Sequence, residues 1–267
     1  MLEPFLKWPG GKRWLVQRHS FAFPSGWHRY IEPFLGGGAV FFHLAPLRAV
    51  LSDTNSELIN TYQCIRRDAA RIDKHLRSLQ DQHCSEVYRE IRSKRPRSEV
   101  ERAVRFIYLN RTCFNGLYRV NRRGEFNVSM GSKTLVRYPE GYLSTISNSL
   151  RKATLRVSDF EGVLSKAGEG DFVFVDPPYT VLHNNNNFLR YNARLFSWSD
   201  QLRLADSIKK AARRGAQIML SNADHQSVRD LYRGFGNHYR IARSSAIAAE
   251  ASCRCRTTEL LVTTYSL

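Results

Sequence analysis

The chain has 267 residues, of which 42% are hydrophobic, enough to bury a core and too many for a disordered chain. Its 41 Lys and Arg residues outnumber its 24 Asp and Glu residues, and the formal net charge of +17 predicts a polyanionic partner. No apolar run approaches the roughly 18 residues that span a bilayer, and five scattered cysteines without a C-x-x-C pair favour neither a disulfide framework nor a zinc site. We therefore expect a soluble cytoplasmic protein that binds no metal and no membrane.

Strand-like and helix-like segments alternate towards both ends of the chain. In chain order, the pattern predicts strands over residues 27–32, 49–52, 154–157, 172–175, 217–220 and 259–265. It also predicts one helix that begins at Val40 and a second helix over residues 200–214. Such alternation is typical of a parallel, doubly wound sheet. The sequence therefore predicts an α/β fold.

Residues 61–149 interrupt that alternation. Their apolar positions recur at helical spacing and form no strand-like run, as at Leu76, Leu79, Val100, Val104 and Ile107. Thirteen basic residues and four glutamates lie at positions 89–137, which gives this segment a net charge of +9, and aromatic and amide side chains are interspersed among them. Because this composition suits phosphate and base-edge contacts, we predict a helical recognition domain over residues 61–149, inserted into a core of residues 1–60 and 150–267.

A glycine-rich turn follows the first predicted strand, where residues 32–38 read Glu-Pro-Phe-Leu-Gly-Gly-Gly. Glycines at this point let the backbone approach a ligand closely, and the next helix presents N–H groups to it. Asp53 ends the following predicted strand, near the spacing at which a carboxylate bonds a ribose hydroxyl. The turn and Asp53 together indicate a nucleoside cofactor, and the absence of G-x-G-x-x-G and P-loop patterns disfavours dinucleotides and triphosphates.

The sequence Asp176-Pro177-Pro178-Tyr179 comes directly after the predicted strand over residues 172–175. Because prolines supply no N–H, the Asp176 carboxylate and the Pro177 carbonyl remain acceptors at the carboxyl edge of the sheet. Two acceptors that hold both N–H bonds of an exocyclic amine, such as that of adenine, direct its lone pair outward, and Tyr179 can stack on the base. The motif therefore predicts transfer chemistry at an amino group.

These segments resemble motifs of the Dam-like family of DNA adenine-N6 methyltransferases, in the alpha-group order of cofactor motif, recognition insert and catalytic motif. The core matches are F-L-K-W-P-G-G-K at residues 5–12, E-P-F-L-G-G-G at 32–38, S-D-T-N at 52–55, S-D-F at 158–160 and D-P-P-Y at 176–179. The insert matches are Y-L-N-R at residues 108–111, N-G-L-Y-R at 115–119 and R-G-E-F-N-V at 123–128. The resemblance implies a Rossmann-like class I S-adenosylmethionine-dependent methyltransferase sheet with an inserted, mostly helical DNA-recognition domain.

The resemblance also implies the residues of each site. The catalytic residues carried over are Asp176, Pro177, Pro178 and Tyr179. Those expected to bind S-adenosylmethionine are Trp8, Lys12, Glu32, Pro33, Phe34, Gly36, Gly38, Asp53, Asp159, Phe160 and Asp176. Those expected to bind DNA are Lys7, Arg111, Phe114, Asn115, Leu117, Arg119, Asn121 and Arg123. The implied reaction is methyl transfer to N6 of an adenine flipped out of duplex DNA, within GATC or another GA-containing site, by a monomer.

Within the insert, the resemblance assigns particular roles. Arg119 and Leu117 would contact bases in the major groove, where an arginine bonds guanine through two hydrogen bonds. Phe114 would insert into the duplex, Asn115 would act at the vacated position, and Lys7 would read another base. Burial in a hydrophobic core is the alternative role for Leu117 and Phe114.

Two segments depart from the family pattern. N-F-L-R-Y at residues 187–191 resembles the loop that closes over the flipped base, but four consecutive asparagines occupy residues 184–187. Residues 246–251 are more apolar than the Gly and Ser usual in the family.

Three alternatives stay open at this point. A methyltransferase of this kind could act on cytosine N4, RNA or a protein amide instead. A DNA-binding regulator could keep S-adenosylmethionine as a ligand and lack catalysis. A generic polyanion binder would bind without regard to sequence, and its affinity would fall steeply with salt. The sequence also leaves open whether the protein belongs to a restriction-modification system, a phage or a housekeeping pathway.

Overall fold

The computed structural model describes residues 2–121, 123–181, 196–244 and 256–267. Its strands are β1 (Arg29–Glu32), β2 (Ala49–Asp53), β3 (Ala153–Val157), β4 (Asp171–Val175), β5 (Gln217–Ala223), β6 (Asn237–Ser244) and β7 (Arg256–Thr263). They form a seven-stranded sheet in the order β3-β2-β1-β4-β5-β7-β6. The predicted α/β fold with a Rossmann-like sheet is therefore confirmed.

The helices connect these strands and make up most of the predicted insert. They are α1 (Arg13–Arg18), α2 (Ala39–Leu44), α3 (Ser56–Asp81), α4 (Ser85–Ser93), α5 (Glu99–Thr112), α6 (Tyr142–Leu150), α7 (Phe160–Leu164), α8 (Trp198–Arg213) and α9 (Gln226–Leu231). Helices α3 to α6 confirm the helical character that the apolar spacing predicts for residues 61–149. A short 3-10 turn at Phe114–Gly116 follows α5.

The strand directions confirm one part of the prediction and correct another. β1, β4 and β5 run parallel, whereas β7 runs antiparallel to both β5 and β6. The prediction of a parallel sheet is therefore wrong at one edge. Antiparallel neighbours need no crossover helix, so the alternation of strands and helices does not apply to β6 and β7. The sequence pattern also does not predict β6, because its sequence N-H-Y-R-I-A-R-S has no continuous apolar run. Such a polar sequence suits a strand at the end of a sheet.

The chain forms two compact units. The first comprises residues 1–13, 35–46 and 51–157, and the second comprises residues 14–34, 47–50 and 158–267. The division into residues 1–60 with 150–267 and residues 61–149, based on the sequence, stays a prediction. Within the described ranges, no helix combines the length and apolarity needed to cross a membrane, and no three His, Cys, Asp or Glu side chains are grouped as metal ligands.

The second unit has a hydrophobic core around β4. All five β4 residues are buried, as expected of a central parallel strand that is covered on both faces. Helix α8 begins with a capping box between Ser197 and Asp200 and buries its apolar stripe in this core. The end of β4 is thus held firmly, and residues 176–179 follow it directly.

In the first unit, α5 is the most deeply buried helix segment of the predicted insert, with Phe106, Ile107, Tyr108 and Leu109 all in the interior. Asn55 caps the neighbouring helix α3 by accepting hydrogen bonds from the N–H groups of Glu57 and Leu58 at 3.1 Å. This cap lies two residues beyond Asp53, so it fixes the end of β2.

Candidate active site and recognition segment

Two predicted site residues lie at the carboxyl edge of the sheet in the second unit. β1 and β4 are adjacent and parallel, with Ile31 opposite Val173, and the strand order changes direction between them. In open α/β sheets, ligands bind at such a switch point, outside the carboxyl ends of the strands. Glu32 ends β1 and Asp176 follows β4, so both carboxylates belong to this edge.

Tyr179 is held at this edge by a carboxylate that the sequence reasoning did not assign to the site. Its hydroxyl donates to Glu259 Oε2 at 2.8 Å and lies 3.0 Å from Ser221 Oγ, which also donates to Glu259 Oε2 at 3.1 Å. Burial raises the pKa of Tyr179 well above its usual value, and the nearby carboxylates of Asp176 and Glu259 raise it further. Tyr179 therefore remains protonated and keeps its ring in a fixed orientation.

Glu32 is buried, with 3% of its surface exposed, and accepts a hydrogen bond from the Tyr30 hydroxyl at 3.0 Å. Burial raises the pKa of Tyr30 well above its usual value, and Glu32 contributes to the same shift. Because a buried carboxylate is stable only when polar groups satisfy it, Tyr30 helps to keep Glu32 in place at the end of β1.

Phe34 and Phe160 form an aromatic stack in the second unit, with ring centroids 5.7 Å apart. Phe160 is buried, and the guanidinium of Arg203 lies 5.0 Å from the centre of its ring. Asp159 caps α7 through Glu161 N and pairs with Arg203 at 3.2 Å. The structure thus brings three predicted cofactor residues together, and Arg203 is an additional member that no motif indicated.

Hydrogen bonds at both its backbone N–H and its backbone carbonyl hold Gly36 of the glycine turn in the first unit. Gly36 N donates to Asp53 Oδ2 at 3.1 Å, and the Tyr62 hydroxyl donates to Gly36 O at the same distance. Asp53 Oδ1 accepts from Asn55 N at 2.9 Å. Burial raises the pKa of Asp53, while hydrogen bonds from backbone N–H groups oppose that rise. The glycine turn and Asp53, the two features that together indicate a nucleoside cofactor, are therefore joined by a direct hydrogen bond.

We expect Gly36→Ala to destabilise the protein and to abolish cofactor binding. Gly36 has a φ of +46°, and a Cβ there would lie 2.6 Å from Trp8 Cδ1. The positive φ alone costs about 1–2 kcal/mol for other residues, and the clash adds to it. Gly141 has a φ of +74°, and a Cβ there would meet none of the described atoms within 4 Å, so Gly141→Ala isolates the cost of the backbone strain.

Chemical denaturation and calorimetric titration with S-adenosylmethionine test this expectation. The Gly141→Ala protein should lose about 1–2 kcal/mol of stability and bind the cofactor normally. Equal stability losses in the two variants, with cofactor binding retained in both, would contradict the proposed role of the Gly36 turn.

Trp8 and Lys12 belong to the segment that precedes the first strand. The Trp8 ring is stacked against the rings of Tyr118 and Phe106, and its centroid lies 5.9 Å and 6.3 Å from theirs, respectively. Lys12 is buried, and its Nζ donates to Gly10 O at 2.8 Å. Trp8 therefore packs against both the glycine turn and the predicted recognition segment, a structural role beside its predicted role in cofactor binding.

The predicted base-reading segment is a turn with few regular strand contacts. Its isolated bridges pair Cys113 with Met130 and Val120 with Phe126. Asn121 shapes the turn, because its Oδ1 accepts from Arg123 N and Glu125 N while its Nδ2 donates to Glu125 Oε2. This side chain is thus engaged within the protein, which the motif did not indicate.

The other predicted DNA-binding residues differ in how exposed they are. Phe114 is 55% exposed, so core burial is the wrong alternative for it, whereas Leu117 is half-buried. Arg119 is exposed, and its Nε donates to Asn127 Oδ1 at 2.9 Å. Asn115 is also exposed and adopts a positive φ of 54°.

Arg111 lies on α5, and the structure gives it internal partners. Its guanidinium donates to the carbonyl groups of Leu135 and Arg137 at 3.1 Å and lies 4.0 Å from the centre of the Tyr138 ring. These contacts stabilise the chain around residues 135–138. Contact of Arg111 with DNA stays a prediction.

Three predictions lie outside the described residues. They concern the asparagine run at residues 184–187, the loop motif at residues 187–191 and the apolar stretch at residues 246–251.

Comparison with known proteins agrees with this geometry. Residues 8–246 match the family model of D12 class N6 adenine-specific DNA methyltransferases. The type II methyltransferase M1.LlaDCHI of Lactococcus lactis subsp. cremoris is 38% identical, and the match covers 99% of this chain and 96% of that protein. The type II methyltransferase M.MjaIII of Methanocaldococcus jannaschii is 36% identical over 91% of this chain and 92% of that protein. The DNA adenine methylase of Escherichia coli K12 is 32% identical over 96% of this chain and 93% of that protein.

The chain belongs to the D12 class of N6 adenine-specific DNA methyltransferases. Its substrate is therefore DNA, its reaction is methylation of adenine N6, and it requires a methyl donor. The resemblance that the motifs indicate is thereby confirmed.

Proposed function

We propose that the protein transfers a methyl group from S-adenosylmethionine to N6 of an adenine that is flipped out of duplex DNA, within GATC or another GA-containing site. The observation that carries this proposal is the Asp176-Pro177-Pro178-Tyr179 sequence at the carboxyl end of β4, with Tyr179 anchored by Ser221 and Glu259. The family match favours adenine N6 over the alternative acceptors.

The predicted cofactor residues suit S-adenosylmethionine in each unit taken by itself. In the first unit, the N–H groups of Gly36, Thr54 and Asn55 bond the Asp53 carboxylate, and because a carboxylate can accept about four hydrogen bonds, one position is left for a ribose hydroxyl. In the second unit, the buried carboxylate of Glu32 lies at the end of β1, at the edge where ligands bind in such sheets. When bound, S-adenosylmethionine would supply the methyl group of its sulfonium, and the neutral thioether that remains is a good leaving group.

Asp176 and the Pro177 carbonyl hold the adenine amino group by accepting its two N–H bonds. The amino nitrogen then becomes pyramidal, and its lone pair points towards the methyl group. As the N–C bond forms and the S–C bond breaks, the nitrogen becomes cationic, and it releases one N–H proton to solvent after transfer. Tyr179 stacks on the base, and its orientation is fixed at the hydroxyl end by Glu259. No nucleophilic side chain is required, so the contribution of the protein is alignment and acceptor geometry.

The target adenine must leave the base stack to reach these groups, which costs a few kcal/mol. The exposed ring of Phe114 is suited to insert into the duplex, Asn115 is suited to act at the position that the adenine vacates, and Arg119 is suited to bond guanine in the major groove. Phosphate contacts from the basic segment offset part of the cost.

Methyl transfer to defined duplexes tests this proposal. Purified protein and labelled S-adenosylmethionine are incubated with a GATC duplex, with duplexes changed at one base pair, and with single-stranded RNA. We expect label in one GA-containing duplex, at adenine N6, and a rise in fluorescence when an adenine analogue replaces the target base. Equal labelling of unrelated duplexes, or labelling of cytosine or RNA, would contradict the proposal.

The affinity for DNA should also fall as the pH rises above about 8. Burial lowers the pKa of Lys7 to about 8, with Lys133 and Arg111 lowering it and Cys113 acting in the opposite direction. Below that pH the Lys7 amine carries the charge that attracts DNA, and above it the amine is neutral. Binding therefore takes up one proton at higher pH, which weakens the affinity by up to about tenfold per pH unit.

Fluorescence anisotropy at constant ionic strength measures this dependence between about pH 6.5 and pH 9.5. Lys7→Met should remove the dependence. Lys133→Gln should move its midpoint to higher pH, because one of the charges that lower the pKa of Lys7 is removed. An unchanged profile in Lys7→Met would rule out Lys7 as the titrating group.

A further inference from the structure

Asn110 is a buried side chain of the first unit that belongs to the Y-L-N-R match at residues 108–111 and has no site role assigned to it. It lies near the end of α5 and has 0% exposure. Its Oδ1 accepts from Lys7 N at 2.9 Å, and its Nδ2 donates to Lys7 O at 2.8 Å and to Gly116 O at 3.1 Å. Both donors of the amide and one acceptor position are therefore used on backbone groups of two separate segments.

Gly116 holds the same lysine from a second direction. A Cβ on Gly116 would lie 2.6 Å from Lys7 Cδ and 2.8 Å from Lys7 Cβ, and the φ of Gly116 is +66°. The Lys7 side chain therefore packs directly on the backbone of the 3-10 turn Phe114–Gly116. This turn carries the exposed Phe114 and leads into Arg119.

Among the residues that the structure describes, no carboxylate is one of the groups that shift the pKa of the Lys7 amine. Its charged neighbours are instead Lys133 and Arg111, which are cationic. A half-buried amine beside like charges is costly unless an external acceptor compensates it. The amine is therefore suited to an acceptor on DNA, whereas the backbone of Lys7 and the stem of its side chain are held within the protein.

We propose that Asn110 is a positioning residue that determines site specificity: it holds Lys7 in register with the turn Phe114–Gly116, so that Lys7 and the base-reading segment meet the same DNA site as one rigid body. This inference rests on the proposed function, because it takes Lys7 to contact a base of the target. Asn110 acts through Lys7 and touches no DNA itself.

A double-mutant cycle tests the inference. The variants are Lys7→Ala, Asn110→Ala and the combination, and the readout is the ratio of kcat/KM for the preferred duplex to that for duplexes changed at each base pair in turn. Lys7→Ala should lower this ratio about 5- to 100-fold at one base pair, which is the range for loss of one base contact. Asn110→Ala should lower it at the same base pair, and in the Lys7→Ala background it should add nothing.

Asn60 provides a matched control in the same unit. It is also a buried asparagine, and its Nδ2 donates to the backbone carbonyl of Glu99 at 3.0 Å without contacting Lys7. Asn60→Ala should lower stability and leave discrimination at every base pair unchanged. Gly116→Ala serves as a second perturbation should Asn110→Ala fail to fold, and it should displace Lys7 and lower discrimination at the same base pair.

The outcomes separate this inference from the proposed function. A wild-type protein that methylates no DNA would overturn both. Methylation of one site with unchanged discrimination in Lys7→Ala would overturn the inference alone. A uniform loss of kcat/KM on all duplexes in Asn110→Ala, or an undiminished further loss in the Lys7→Ala background, would reduce Asn110 to a structural residue and overturn the inference.

Discussion

Replacing Asp176 by Ala should lower kcat about 100- to 1,000-fold and leave the folded protein intact. The residue follows β4 at the edge of the sheet and is half-buried, so it is not part of the hydrophobic core. Its expected contribution is to accept an N–H bond of the adenine amino group, and an alanine side chain offers no acceptor. Asp176→Asn keeps one oxygen in place and should retain more activity than Asp176→Ala.

Single-turnover methyl transfer measures the loss of activity, and thermal unfolding measures whether the fold is intact. Asp206→Ala is the control, because Asp206 lies on α8 in the same unit and, among the described residues, forms an exposed pair with Lys210 alone. Such a pair contributes little to stability, so this variant should behave as the wild-type protein. Full activity in a pure preparation of Asp176→Ala would contradict the catalytic assignment.

Replacing Glu259 by Leu should cost about 1–3 kcal/mol of stability and should also lower kcat. Glu259 is buried, and the change removes the acceptor shared by the hydroxyl groups of Tyr179 and Ser221. The Tyr179 ring then loses its fixed orientation for stacking on the base. Glu259→Gln keeps an oxygen at the same position and should have a smaller effect on both quantities.

Chemical denaturation gives the stability change, and methyl transfer at saturating DNA gives kcat. Ser221→Ala removes only one of the two donors and leaves the shorter bond from Tyr179 to Glu259, so kcat should change little. A Glu259→Leu protein with normal kcat and lowered stability would show that Glu259 supports the fold and does not position Tyr179.

The parts of the fold that the sequence predicts well are those with a local signal. Residues 172–175 of β4 are a continuous apolar run, every residue of the strand is buried, and the Asp-Pro-Pro-Tyr sequence follows its end. β6 has no such signal, because its sequence N-H-Y-R-I-A-R-S has neither a continuous apolar run nor a strict alternation of polar and apolar residues. The antiparallel direction of β7 depends on pairing with β5, a contact between distant parts of the chain that periodicity does not report.

The same limit applies to the candidate site. Motifs identify Tyr179 and Asp53, since both lie next to strand ends and in recognisable patterns. They do not identify Glu259 as the partner of Tyr179, although an acidic residue within an apolar strand is a signal of a buried polar contact. Asn110 lies within the Y-L-N-R match, but the motif does not indicate its partner, because the segment that Asn110 binds lies 103 residues away in the chain.

In the recognition segment, the motifs point to particular residues but do not indicate which groups each side chain contacts. Asn121 lies at a predicted DNA-binding position, and its side chain shapes the turn through bonds to Arg123 N and Glu125 N. Arg111 similarly bonds two backbone carbonyl groups. A side chain that satisfies backbone groups can be required for the segment to form, whether or not it touches DNA.

The central claim is site-specific methylation of adenine N6, and one measurement tests it most directly. The protein and its Asp176→Ala variant are expressed in a host that lacks adenine methylation, and N6-methyladenine is mapped by single-molecule sequencing. We predict marks at one short GA-containing motif with the wild-type protein and none with Asp176→Ala. Unmarked DNA in cells that contain soluble wild-type protein able to bind S-adenosylmethionine, or identical marks with both proteins, would contradict the account.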